Sequence, residues 1–303
     1  MRIGIMSGAS PREDGTLDGV VKRARDLEAR GFHTLWMANI FGLDAITSLA
    51  LAGRETERIE LGSAVVPSYP RHPLALAQQC LSAQAAAGGR FVLGLGLSHK
   101  LVIEGMLGLS YDRPARHMRE YLAVLGPLLR GEPAKFEGEE FRVNGAVQVP
   151  GASEVPVLLA ALGEQMLRIA GRAAAGTILW MTGPATIESH IVPGIRGAAR
   201  EAGRKDPRVV AGLPIALTGD ADQARERIAK GLSLYGQLPS YRAMLDKEGA
   251  AGPADIAILG DEKVLDAALD RLRDIGVTDF NGSIMSVDAG AEERTLAYLA
   301  SRL

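Results

Sequence analysis

The fold class this sequence predicts is the (β/α)8 barrel, and three observations carry it. Short runs rich in Val, Ile and Leu alternate along the whole chain with longer segments of helical period, the pattern of parallel βαβ units. Eight strand-like runs can be placed, the number that closes a barrel. The 303 residues exceed the usual domain length, yet barrels of this kind routinely reach that size as one unit.

Taken in order, strand one is read at residues 3–6. The helix after it covers 16–30, where Val20, Val21, Ala24 and Leu27 recur at helical spacing and Gly31 stops the run. Strand two is read at 34–37. A helix over 44–54 leads into strand three at 59–66, and Pro73 opens a helix that runs to Ala87 before Gly88-Gly89. Strand four is read at 91–95, followed by a long helix at 114–129. The stretch at about 135–150 sets Phe136, Phe141, Val143 and Val147 between Gly and Asn turns and reads as an inserted hairpin. Strands five to eight are read at 155–159, 177–181, 209–217 and 278–284, with a helical segment between each pair. The segment 235–255 breaks this rhythm with Gly236, Pro239, Gly249, Gly252 and Pro253, and is read as an excursion before the last helix. Residues 1–303 are therefore expected to form one barrel domain with two insertions, and excursions beyond strand C-termini commonly shape pockets.

The composition narrows the function. With 47% hydrophobic and 23% charged residues the chain can bury a large core, which excludes disorder. Its 34 basic and 36 acidic residues are interspersed, so no patch invites nucleic acid or a membrane surface. Small-molecule chemistry is the expectation. The lone Cys80 excludes an internal disulfide framework and, within a predicted helix, reads as a buried structural thiol. No His/Asp/Glu group has metal-ligand spacing. The apolar run at the start is too short for a signal peptide or membrane span, so a cytoplasmic protein is expected.

Five ordered motifs then point to a family. They are Leu61-Gly62-Ser63-Ala64-Val65-Val66-Pro67-Ser68-Tyr69-Pro70-Arg71-His72-Pro73 with Leu76-Ala77-Gln78-Gln79, Gly89-Arg90-Phe91 through Ser98-His99, Tyr111-Asp112-Arg113-Pro114, Ala160-Ala161-Leu162-Gly163 through Trp180, and Gly276-Val277-Thr278-Asp279-Phe280. Together they resemble the luciferase-like oxidoreductases, in particular the branch that uses coenzyme F-420, over nearly the whole chain. The resemblance implies a luciferase-like barrel and a homodimer. It further implies a non-prolyl cis peptide at Ala64-Val65 in a strand-three bulge that backs the deazaflavin ring, with Ser63 beside it.

The remaining candidates lie where strands end. Arg71 and His72 are held between two prolines, where a cation can stabilise charge on a reduced ring or a phosphate; Arg71 reads equally as a solvated loop residue. Ser98 and His99 follow strand four, where a histidine can bond a ring carbonyl or move a proton, and Gly94 and Gly96 are expected to let the cofactor approach. Leu162 and Gly163 precede a helix whose free N–H groups and dipole suit a phosphate. Ala175, Gly176 and Thr177 are read with them, and Thr182 before Gly183-Pro184 is a second candidate; simple loop punctuation is the alternative for all of these glycines.

One departure matters. Alcohol and sugar-phosphate dehydrogenases of the resembling branch end strand two in an Asp-His pair, and here Asn39 and Ile40 take those positions. Isoleucine cannot exchange a proton, whereas Asn39 can still bond a cofactor group. The expected function is an F-420-dependent reductase that passes hydride to an activated double bond, imine or carbonyl of a small organic substrate, with His99 or solvent supplying the proton. The alternatives are an FMN-dependent monooxygenase and a non-catalytic flavin- or deazaflavin-binding protein.

Overall fold

The computed structural model describes residues 1–8 and 15–303. Strand one, Arg2–Ser7, pairs in parallel with strand two, Thr34–Met37, on one side and with strand eight, Asp279–Ile284, on the other. Strand three (Glu60–Ser63), strand four (Phe91–Gly96), strand five (Val157–Leu159), strand six (Gly176–Trp180) and strand seven (Arg208–Leu217) add in chain order. Pairing of strand seven with strand eight closes the ring. The expected (β/α)8 barrel is there, with the helices outside it.

The local chemistry explains why the helices begin where they do. Thr16 accepts from Gly19 N, Asp44 from Thr47 N, Asp220 from Gln223 N and Asp261 from Val264 N, each satisfying an otherwise orphaned first-turn donor. The helix Pro114–Leu129 matches its expected span and buries Met118, Tyr121, Leu122, Val124, Leu125, Leu128 and Leu129, each such side chain contributing roughly 1.5–3 kcal/mol of apolar burial. Cys80 is fully buried in Pro73–Ala86, which pushes its thiol pKa up.

Three expectations are corrected. The strand read at 59–66 stops at Ser63 and resumes as Val66–Pro67, which pairs with Leu95-Gly96; the interruption is the cis peptide bond Ala64-Val65. The excursion contains its own helix, Pro239–Glu248, and is followed by a short strand, Ile258–Gly260, added to the end of strand seven. Two helices, Glu262–Asp274 and Ala291–Ala300, come after it instead of one. The hairpin forms as Ala134–Glu137 paired with Arg142–Gly145.

The barrel interior is layered. At the strand starts Arg208 reaches Asp279 (2.6 Å) and Glu60 (2.9 Å), Arg2 reaches Glu60 (3.2 Å), and Thr34 joins the same carboxylate. Burial alone would lower the Arg208 pKa, but the hydrogen bonds and charges of Asp279 and Glu60 outweigh it and hold the guanidinium firmly protonated. Above this plug lies an apolar layer with Trp36, Val92, Leu158, Ile178 and Val210 contributed by five different strands. The Trp36 indole needs the space that Gly4 and Gly62 leave, since a Cβ at Gly62 would fall 2.2 Å from the ring. Higher still, Met6, Ala64 and Val65 pack on that layer and open toward the strand C-termini.

Candidate functional site

At that C-terminal end the loops after strands two, three, four, five and six meet, the face on which barrels of this class carry their chemistry. The strand-three bulge is fastened from one side. Ser63 Oγ donates to Gly94 O and accepts from Gly94 N, both at 2.9 Å, and the side chain is fully buried. A Cβ at Gly94 would fall 1.9 Å from Ser63 O, and one at Gly96 would fall 2.6 Å from Val65 Cγ2. These glycines therefore admit the bulge; the room they were expected to give a cofactor is taken by strand three. Ala64 and Val65 remain half-buried and form a small apolar wall.

The loops after strands two and three are tied together. Arg71 donates to Asp44 Oδ2 at 2.8 Å, Gln79 donates to the other Asp44 oxygen at 3.2 Å, and Tyr121 donates to Arg71 O at 2.9 Å. Asp44 feels burial, which raises its pKa, but Thr47 and Arg71 more than reverse it and keep it ionised. Asn39 Oδ1 accepts from Ala45 N at 3.0 Å and so supports the same helix start. His72, expected to face the slot, is exposed: its Nδ1 accepts from Leu74 N (3.3 Å) and its ring meets Phe141 of the hairpin edge-on at 6.1 Å.

Beyond strand four, Ser98 adopts φ 62°, uncommon for a residue with a side chain, and its carbonyl accepts from Tyr111 OH at 3.2 Å. His99 follows, half-buried, at the cap of a short helix, Lys100–Gly105, that sequence patterning missed. Its ring rests on Tyr241 from the excursion at 5.4 Å, and burial lowers its pKa. Among the described residues no group hydrogen-bonds either ring nitrogen.

The two candidate phosphate cradles differ. The helix Glu164–Ala173 begins at Gly163 with no side-chain cap, Gly163 is exposed, and a Cβ there would meet nothing within 4 Å. The Leu162 side chain packs on the core, and its carbonyl lies against His190 Nε2 at 2.7 Å. Ala175, Gly176 and Thr177, read alongside it, lie instead at the start of strand six. A Cβ at Gly176 would fall 2.1 Å from Arg208 O, and Thr177 is fully buried with its hydroxyl donating to Leu159 O at 2.8 Å. Glycine is required there for strand pairing. The helix start after Thr182-Gly183 is filled from within the chain: Ala185 N (3.0 Å) and Thr186 N (2.6 Å) donate to the Glu248 carboxylate, while Thr182 is buried with a long bond to Trp180 O.

Sequence reading missed Tyr235 and Tyr241. Only the distance between the excursion and strand four hid them, since aromatic residues in an irregular segment beside a pocket are themselves a signal.

A family profile described as luciferase-like monooxygenase matches residues 1–279. The chain is 27% identical to a 5,10-methylenetetrahydromethanopterin reductase of Methanolobus tindarius over 84% of this chain and 82% of that one. Its fold is similar to that of the coenzyme F-420 dependent tetrahydromethanopterin reductase from Methanopyrus kandleri, with a TM-score of 0.82 and 22% identity over 100% of this chain and 98% of that one. It is also similar in fold to an F-420-dependent secondary alcohol dehydrogenase in complex with an F-420-acetone adduct, with a TM-score of 0.83 and 17% identity over 100% and 98% of the two chains. With its profile match, barrel topology and strand-three bulge in agreement, this chain belongs to the luciferase-like monooxygenase family.

Proposed function

We propose that the chain is a coenzyme F-420-dependent oxidoreductase working as a reductase on a small organic substrate. The observation that carries this reading is the uncapped, open helix start at Gly163, standing at the same barrel end as the apolar Ala64-Val65 wall. First-turn N–H groups and the helix dipole suit the phosphodiester, and the wall suits a flat ring. The reductase relative and the fold neighbours support the choice of F-420. The family's monooxygenase description favours FMN as the second reading.

Reduced F-420, when bound, supplies the hydride that an activated C=C, C=N or C=O bond accepts. The chain's own groups orient, exclude water and place a proton. Because burial disfavours imidazolium, His99 is neutral near pH 7 and acts best as an N–H hydrogen-bond donor that polarises the substrate oxygen, while solvent supplies the proton that completes the reduction. Ile40 stands 43% exposed at the end of strand two and offers no proton acceptor for alcohol oxidation, which supports the reductive direction. Arg71, neutralised by Asp44, holds the neighbouring loops in place. Among the described residues no helix is long and apolar enough to cross a membrane. A cytoplasmic homodimer is part of the proposal, and light scattering that gave the monomer mass of 32.0 kDa at micromolar protein would overturn the dimer.

Equilibrium titration of the purified protein with F-420 and with FMN tests the cofactor. F-420 is expected to bind tighter, and a tenfold preference for FMN would replace this reading with the second one.

A further inference from the structure

The excursion that follows strand seven carries an aromatic arm that meets His99 after strand four and Trp180 at the end of strand six. Its helix Pro239–Glu248 is fastened at one end by the Glu248 carboxylate on Ala185 N and Thr186 N, and in the middle by buried Met244 and Leu245, with Thr186 Oγ1 donating to Met244 O at 3.3 Å. Arg242 locks the following turn through Ala250 O (2.7 Å) and Ala251 O (2.9 Å). From this support a continuous seam of rings runs His99 to Tyr241 (5.4 Å), Tyr241 to Tyr235 (5.8 Å) and Tyr235 to Trp180 (6.2 Å). It joins the loop after strand four to the end of strand six.

The polar tips of this seam stand out. Among the described residues no group hydrogen-bonds the hydroxyls of Tyr235 and Tyr241 or the ring nitrogens of His99, and none of these atoms is among the fully enclosed unpartnered ones. They are thus donors not consumed within the described chain, set along a seam of aromatic rings. The charges nearby are spent within the arm, Arg242 on Asp246 and two carbonyls, Glu248 on the helix start. The seam's own members, His99, Tyr241, Tyr235 and Trp180, include no guanidinium or ammonium to receive a carboxylate.

We propose that Tyr241 is a specificity-determining residue that selects a neutral, flat, conjugated carbonyl compound by giving it an aromatic face and a hydroxyl donor beside His99. The proposal rests on the reductase reading, since it names the substrate class of that site. A buried phenol keeps its proton, and a neutral imidazole adds a second donor, so a carbonyl oxygen is matched and a carboxylate is left unpaired. Aromatic stacking then favours a planar substrate over a saturated one of similar size.

Cinnamaldehyde and cinnamate make a matched pair of probes, alike in skeleton and different in charge. In calorimetric titration of the full chain, cinnamaldehyde is expected to bind at least tenfold tighter than cinnamate. Tyr241→Phe, which keeps the ring, should weaken cinnamaldehyde about threefold to tenfold, the worth of one hydrogen bond, and leave cinnamate unchanged. Tyr241→Ala should weaken it further. Equal binding of the two probes, or a Tyr241→Phe variant indistinguishable from wild type, overturns the proposal. F-420 titration of the same variants separates the two readings: lost probe selectivity with F-420 affinity intact sinks only the Tyr241 assignment, and absent F-420 binding with selectivity intact sinks only the cofactor. If Tyr241→Ala fails to fold, Tyr241→Phe still decides.

Discussion

The two ends of the barrel follow opposite rules. At the strand starts the charges of Arg2, Arg208, Glu60 and Asp279 are closed, with the Thr34 hydroxyl, into one network beneath Trp36. At the strand C-termini donors are left over: the first turn after Gly163, the ring of His99, and the hydroxyls of Tyr235 and Tyr241. The first end is built to hold the ring of strands shut, and the second to receive something. Stability and chemistry are thereby separated by one apolar layer.

The comparison breaks most visibly at Arg208. Arg208→Met leaves two mostly buried carboxylates with Arg2 as their cation among the described residues, and should lower unfolding free energy by about 3 kcal/mol, the low end for a broken buried pair, read by urea or thermal denaturation. F-420 affinity per folded molecule should stay within about twofold. A loss under about 1 kcal/mol would mean that the network is not what closes the barrel.

At the other end, His99→Ala should lower turnover roughly 10²-fold while leaving stability and F-420 affinity almost unchanged. A variant that melts early yet turns over normally per folded molecule would return His99 to a structural role.

A pair of glycines sharpens the contrast. Gly176→Ala drives a methyl into the Arg208 backbone and should cost about 1–3 kcal/mol, whereas Gly163→Ala enters open space and should change stability by less than about 0.5 kcal/mol. Gly163→Asp brings an anion to the helix start and is expected to weaken F-420 about tenfold in the same titration.

The smallest effect is in pH dependence. Burial lowers the folded-state pKa of His99 beneath its unfolded value, so the unfolded chain binds the proton more readily. The neutral form's stabilising share is complete above about pH 6.5 and declines as pH falls below it, until the folded pKa is passed. His99→Asn should flatten that part of the melting temperature profile between pH 5 and 7, and an unchanged slope would count against a buried ring.

The strand-three bulge was legible only through the family resemblance, the local pattern reading 59–66 as one strand. The strand and helix order and the hairpin were legible because each leaves a local trace, alternation of period and prolines at helix starts. Candidate residues near strand C-termini were legible for the same reason. Their partners were not. Arg71 reads the same in sequence whether it meets a phosphate or Asp44, and Thr177 the same whether its hydroxyl faces a ligand or Leu159 O. Gly163 and Gly176 both read as loop glycines beside a helix or strand, although one has open space and the other the Arg208 backbone.

By itself, then, the sequence determined the barrel, its insertions and the end at which chemistry belongs, since hydrophobic period and turn residues act between near neighbours along the chain. Tertiary structure alone decided which of two helix starts stays open, because the carboxylate that fills the other comes from Glu248, 62 residues beyond Thr186. It alone set Tyr241 against His99 as well. Contacts between segments so distant depend on how the closed ring of strands folds its loops over one face, and no local pattern records that.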